Sequence, residues 1–229
     1  MSLTYETLLG MTRDHTLFEY AQHVVRWNDI ARKARGGAYT DKDLQWSFVK
    51  EEFDETLAAM REGDRVEVVD GACDMFVVAS YALYLDNRNN TSSSYCDLEH
   101  TCAYQREEAF SLVALEQAVY ESKNRYVALK QIVALLFRLD IPLAYNMKEV
   151  LASNDTKYPT IEQLRAAYPE CGELTDVELL QHEASAIAER SEGRYSDVVF
   201  VKDGDQHVFL DGNGKIMKPI TFRKPKIIV

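Results

Sequence analysis

Two acidic groups stand out for the chemistry their spacing allows. Glu51, Glu52, Asp54 and Glu55 lie in EEFDE, and Glu67, Asp70 and Asp74 follow in EVVDGACD. On helices, Glu52 and Glu55 are three apart and Asp70 and Asp74 four apart, so each pair shares a face. Between the groups, Glu62-Gly63-Asp64-Arg65 reads as a tight reversal, and so short a link sets its two helices antiparallel. Equal steps from a centre near residue 63 put Glu52 level with Asp74, and Glu55 level with about residue 71. Clustered carboxylates repel one another, and a hard divalent cation such as Mg²⁺, which takes oxygen ligands, resolves the repulsion. Asp74 adds weight because Met-Phe-Val-Val-Ala follows it directly, and an aspartate running into apolar core needs a partner. The competing reading is a solvated acidic helix face. Glu67 has an explanation of its own, since Asp64-x-x-Glu67 has the form of a capping box. The level count also sets it about a turn beyond the others.

The elements that would carry these residues are helical. No proline precedes Pro142, so the strongest helix breaker is missing from the first 140 residues. Apolar spacing predicts helices over about 15–35, 42–62 and 65–86, the first ended by Gly36-Gly37. Residues 87–104 are polar and rich in Asn and Ser, and read as a surface loop. The helical pattern resumes from Gln105 to Asp140 with a break near Lys123-Asn124, and shorter helices fit 144–152, 160–168 and 175–190. After Tyr195 the pattern changes to strands at Val198–Val201 and Val208–Leu210, with a third over Lys215–Thr221 and Gly-containing turns between them. The expected fold is all-α: an antiparallel helical bundle with a four-helix core and a small C-terminal β-hairpin appendage. The bundle would occupy 1–195, including an insert at about 158–195, with the hairpin and a basic tail at 196–229 packed on the same domain.

Composition narrows the classes. The 229 residues are 46% hydrophobic and 28% charged, as in ordinary globular chains. With 26 basic and 37 acidic residues the formal charge is −11, which argues against binding duplex nucleic acid. The N-terminus has no basic segment followed by an apolar run, and the longest clean apolar run, Met75 to Leu85, is too short to span a bilayer. No CxxC pair occurs among the cysteines at 73, 96, 102 and 171, so reduced thiols and a cytoplasmic location are expected. Cys96, His100 and Cys102 fit no zinc spacing. No histidine follows a glutamate by three residues, which weighs against a di-iron bundle. Lys215, Lys218, Arg223, Lys224 and Lys226 form the one concentrated basic region, with no acid after Asp211. Such a tail is a solvated edge or, folded back, a source of charge for phosphates. Trp46 and Tyr81 could stack on a base but read first as core.

EEFDE followed by EVVDGACDMFVVA resembles the MazG-like all-α nucleoside triphosphate pyrophosphohydrolases, marked by E-E-x-x-E and then E-x-x-D running into an apolar helix. Glu51, Glu52 and Glu55 match the first motif in full. In the second, placing the final aspartate on Asp74 drops the family glutamate on Gly71, so either Asp70 with Asp74 or Glu67 with Asp70 completes it. Glu149-Val-Leu-Ala-Ser-Asn-Asp-Thr-Lys157 is similar to a segment of the branch close to phosphoribosyl-ATP pyrophosphohydrolase-like proteins, and implies nucleotide contacts from Asn154 and Lys157, supported by Ser153. Asn213-Gly-Lys-Ile-Met-Lys-Pro219 is similar to the closing segment of such chains and includes Lys215 and Lys218. The resemblance implies hydrolysis of a nucleoside triphosphate between its α and β phosphates, with Mg²⁺ or Mn²⁺ on Glu52, Glu55, Asp70 and Asp74. It implies a proton acceptor in Glu51 or another uncoordinated carboxylate, and a homo-oligomer such as a dimer or tetramer. The alternatives are a phosphoribosyl-ATP pyrophosphohydrolase and a non-catalytic acidic interaction protein.

Overall fold

A computed structural model describes residues 15–87, 98–102, 109–192 and 194–229. It is mostly helical, with one two-stranded antiparallel hairpin among the described residues, the class expected from the sequence. The helices are α1 (His15–Ala34), α2 (Lys42–Glu62), α3 (Arg65–Asn87), α4 (Leu112–Tyr120), α5 (Arg125–Arg138), α6 (Leu143–Asp155), α7 (Ile161–Ala167) and α8 (Asp176–Arg190), followed by β1 (Val199–Asp203) and β2 (Gln206–Leu210).

The chain divides into two compact units. The first holds the described parts of Met1–Arg26, Asp41–Val150 and Lys226–Val229, and the second holds Trp27–Thr40 and Leu151–Pro225. The helical insert and the hairpin fall in one unit.

In the first unit α2 packs along α3, α3 along α5, and α4 along α5. Local chemistry sets the boundaries of α2 and α3. The Asp41 carboxylate accepts the N–H groups of Asp43 and Leu44 and starts α2. Gly63, at φ 74°, ends it in the left-handed conformation that glycine adopts without steric cost. Asp64 then accepts the N–H groups of Val66 and Glu67, both at 3.1 Å, and starts α3. Arg65–Asp86 is long and apolar enough by composition to cross a membrane, but 78% of its apolar window is buried inside the fold. It is the central helix of the bundle, which explains its apolar character on nearly every side. Trp46 and Tyr81 are both core residues, each 1% exposed.

In the second unit, α8 packs on β1 and α7. Leu164, Leu179, Leu180, Ile187, Phe209 and Met217 form one apolar cluster, and Trp27, Tyr158, Val208 and Leu210 belong to another. The hairpin pairs Phe200 with Phe209 and Val201 with Val208.

Two expectations change. Within the stretch read as a surface loop, 98–102 is helical, with Leu98, Thr101 and Cys102 buried. The apolar pair one turn apart, Leu98 and Cys102, gives that short segment a face to bury. The rest of 88–104, including Cys96, lies outside the described residues. The third strand over 215–221 reduces to a single bridge between Leu210 and Ile216. The Asp211 carboxylate folds the chain into a turn by accepting the N–H groups of Asn213 and Lys215, and Pro219 has no N–H to extend a ladder.

Candidate active site

Three contacts in the first unit set the register of α2 against α3. Lys42 Nζ lies 3.3 Å from Asp86 Oδ1. The Gln45 amide donates to the Val78 carbonyl at 3.0 Å. Nearer the reversal, Gly71 meets Thr56 so closely that a Cβ at Gly71 would lie 2.3 Å from Thr56 Oγ1. The Thr56 hydroxyl donates to the Glu52 carbonyl at 2.7 Å. Gly71 is therefore a point of close helix approach, where any side chain would force Thr56 to shift. On α2, Glu52 lies between Gln45 and Thr56. On α3, Asp74 lies between Gly71 and Val78. The two sit on facing stripes at nearly one level.

The remaining carboxylates follow from helix geometry. At about 100° per residue, Glu52, Glu55 and Glu51 turn about 40°, 100° and 140° from Thr56, and Asp74 and Asp70 turn about 60° and 100° from Gly71. In an antiparallel pair these rotations carry all five to the same side of the seam. The opposite side is the core, where Phe53, Leu57, Met60 and Met75 help line an apolar crevice too narrow to hold a water. Glu55 is exposed, while Glu51, Glu52, Asp70 and Asp74 are half-buried. Glu67 is exposed and lies a turn closer to the reversal. The local field is negative: Cys73 is pushed well above the usual thiol range, first by burial and then by Asp74 and Asp70. Among the described residues, no three His, Cys, Asp or Glu side chains converge on a common metal position.

The second unit gathers three of the four residues that the resemblance offers as candidate substrate contacts. Lys157 Nζ donates to Asn154 Oδ1 at 2.6 Å and lies over the rings of Trp27 (5.5 Å) and Phe222 (5.7 Å). Lys218 Nζ lies 4.8 Å from the centre of the same Phe222 ring. Asn154 is fixed from behind, since Trp27 Nε1 donates to its carbonyl at 3.1 Å and Trp27 stacks on Tyr158 at 4.8 Å. Lys215 does not join this group; its Nζ lies over Tyr195, at 5.6 Å. Ser153 is buried, and its hydroxyl donates to the Arg223 carbonyl at 2.6 Å.

One buried polar group escaped the sequence reading. Glu183 is 0% exposed. It accepts from the Tyr168 hydroxyl, from Arg190 at 2.7 Å and from the Ile220 N–H at 2.8 Å. The signal was present: Leu180, Glu183, Ala184 and Ile187 recur with helical spacing, so a glutamate stands in an apolar stripe.

An antiparallel helix pair with acidic residues along one side of its seam, set in an apolar helical bundle, is the framework that the sequence resemblance implies. Residues 30–87 match the family described as Phosphoribosyl-ATP pyrophosphohydrolase. Over this stretch the chain is similar to the MazG-like and phosphoribosyl-ATP pyrophosphohydrolase superfamily, a likeness that points to nucleotide pyrophosphohydrolase activity in general. The stretch holds α2 and α3, and with them all the seam carboxylates; Asn154, Lys157, Lys215 and Lys218 lie outside it. No curated protein and no solved structure matches the chain.

Proposed function

We propose that the protein hydrolyses ribo- or deoxyribonucleoside triphosphates to the monophosphate and pyrophosphate in a Mg²⁺-dependent reaction. The observation that carries this reading is the placement of Glu52 and Asp74 on facing stripes of the α2–α3 seam, inside the stretch that matches the family. The donor set is carboxylate oxygen throughout, which suits a hard cation. Mg²⁺ commonly takes one or two carboxylates, several waters and the substrate phosphates, not a full protein cage.

In this reading Glu52, Glu55, Asp70 and Asp74 are the residues that would hold the cation. A bound divalent cation offsets phosphate charge and lowers the pKa of coordinated water. Glu51, or whichever carboxylate is not engaged, accepts the proton of the attacking water. Water oxygen adds to the α-phosphorus, the α–β anhydride bond breaks, and pyrophosphate leaves. In the second unit, Asn154, Lys157 and Lys218 offer one amide and two cations to a polyphosphate, and Lys215 offers a further cation beside Tyr195. Mn²⁺ satisfies the same oxygen ligands.

The test is release of pyrophosphate from a panel of ribo- and deoxyribonucleoside triphosphates, with Mg²⁺ and with chelator. Metal-dependent pyrophosphate from any of them supports the reading, and the preferred member names the base and sugar. The family matched over residues 30–87 favours a second reading, phosphoribosyl-ATP as the substrate. Hydrolysis of that compound with silence across the panel would select it. Silence on both would leave the acidic seam as a docking face for a basic partner.

A further inference from the structure

Lys226–Val229 belongs to the first unit, where two side chains of α6 hold its backbone. The Asn146 amide donates to the Ile228 carbonyl at 2.8 Å and accepts the Ile228 N–H at 2.9 Å. The Glu149 carboxylate accepts the Lys226 N–H at 3.2 Å. Asn146 is 0% exposed, and burying an amide costs free energy unless it is bonded. Here both of its partners are backbone groups of one residue. A residue turns its N–H and C=O to the same side in extended chain, as in the bonded pairs of an antiparallel ladder. The Lys226 N–H, two residues back, turns to the same helix, which is the period of a strand. Lys226–Val229 therefore runs past α6 as an extended segment pinned along one edge, although it joins no sheet among the described residues.

The same alternation turns the N–H and C=O groups of Ile227 and Val229 away from α6. Neither residue makes a hydrogen bond among the described residues. Ile228 and Val229 are each 48% exposed, and Ile-Ile-Val is a run of β-branched residues, which favour strands. An unpaired edge of this kind is a template for a further strand. Charge decides which strand fits. Lys226 is exposed, Arg223 and Lys224 stand just before it in the sequence, and no acidic residue follows Asp211. Pairing this segment with its own copy would bring two basic stretches together, and like charges at close range repel. Edge lysines are a known device against such self-pairing. A strand that carries carboxylates meets the opposite condition.

We infer that Lys226–Val229 is a docking edge for an acidic, extended peptide segment of a partner protein, which adds as a strand through the backbone of Ile227 and Val229 and sets its carboxylates toward Lys226. In strand addition the main-chain bonds give affinity and the side chains give specificity. Asn146 and Glu149 are then positioning residues, which fix the edge and touch no partner. The inference stands apart from the hydrolytic reading, since the edge uses none of the seam carboxylates.

The test is binding of a fluorescein-labelled peptide of alternating glutamate and valine to the full chain, read by anisotropy. The wild-type chain should bind it, and should bind a lysine–valine peptide of equal length roughly tenfold more weakly or worse. Ile227→Pro removes an outward N–H and leaves both Asn146 bonds in place. It should weaken binding by roughly tenfold or more, the worth of a backbone hydrogen bond. Ile227→Thr keeps that N–H and the β-branch, and should bind as wild type does. Asn146→Leu frees the clamp and should weaken binding to a similar degree as Ile227→Pro, although Ile227 and Lys226 remain. The glutamate–valine peptide N-methylated on every residue keeps its charge without its donors and should not bind, a comparison that leaves the protein unaltered. Wild-type affinity in Ile227→Pro, or for the N-methylated peptide, would overturn the strand edge and leave only attraction between charges. No binding by the wild-type chain would overturn the inference as a whole. A concentration-dependent dimer in sedimentation that Ile227→Pro abolishes would make a second copy the occupant and overturn the acidic partner.

Discussion

The first unit carries half-buried and exposed carboxylates along one side of the α2–α3 seam, and the second carries a single glutamate sealed in its core. Glu183 has three donors from its own chain and no exposure to solvent. Glu52, Asp70 and Asp74 are half-buried and Glu55 is exposed, on the side of the seam away from the apolar crevice. Burial of a charge is tolerated where the protein supplies every partner, and Glu183 meets that condition. Accessible carboxylates gathered on one side meet a different one: they stay reachable for a ligand that arrives from water. Removing Glu183 should therefore injure the fold, whereas removing a seam carboxylate should injure function.

The largest effect expected is on stability. Glu183→Ala leaves Arg190 and the Ile220 N–H without their shared acceptor and should cost about 3–5 kcal/mol, read from urea unfolding. A loss below about 1 kcal/mol, within the range of ordinary surface changes, would erase the contrast. Next, Glu55→Gln should lower metal-dependent pyrophosphate release by roughly a hundredfold or more and leave unfolding within about 0.5 kcal/mol of wild type. Full activity in that variant would remove Glu55 from the metal assignment.

Gly71→Ala probes the register beneath the seam. Its Cβ would meet Thr56 Oγ1 at 2.3 Å, and the overpacking should cost about 1–3 kcal/mol. Combined with Thr56→Ala, the loss should be smaller than the sum of the two single losses, as expected for residues in contact. Strict additivity would mean that the helices do not meet there.

The smallest effect is a pH dependence. Burial, followed by the hydrogen bond to Glu183, pushes the Tyr168 phenol from about 10 to about 12. Burial and the bond to Asp54 do the same for Tyr120, also to about 12. A pKa raised on folding means that the native state favours the protonated phenol. The resulting stability is fully present below pH 10 and lost as the pH rises toward 12. Tyr168→Phe should flatten that decline more than Tyr120→Phe, because Tyr168 is 7% exposed and Tyr120 42%. Equal flattening would show that burial does not set the difference.

The acidic helix pair was legible because its signals are local. Asp41, Gly63 and Asp64 mark helix ends by their own backbone chemistry, and the observed helices Lys42–Glu62 and Arg65–Asn87 lie within a residue of expectation. The placement of Glu52 level with Asp74 followed from the shortness of the link alone. The helical 98–102 segment was harder to read because Leu98 and Cys102 stand alone in a polar stretch. The third strand failed for a tertiary reason: pairing needs a partner edge, and the Asp211 turn and Pro219 limit contact to one bridge. Glu183 was legible in principle, as a charge in an apolar stripe, but its partners come from positions 15 residues before it, 7 after it and 37 after it.

By itself, then, the sequence determined the helices, their antiparallel link and the level at which Glu52 and Asp74 stand, because periodicity and capping act within a few residues. Only the tertiary structure decided that Gly71 is the contact point with Thr56, that Glu183 is sealed in the core, and that Lys157 and Lys218 share the ring of Phe222 while Lys215 goes to Tyr195. Those outcomes depend on which distant side chains fill the same space, and packing between elements far apart in the chain leaves no periodic trace in the sequence.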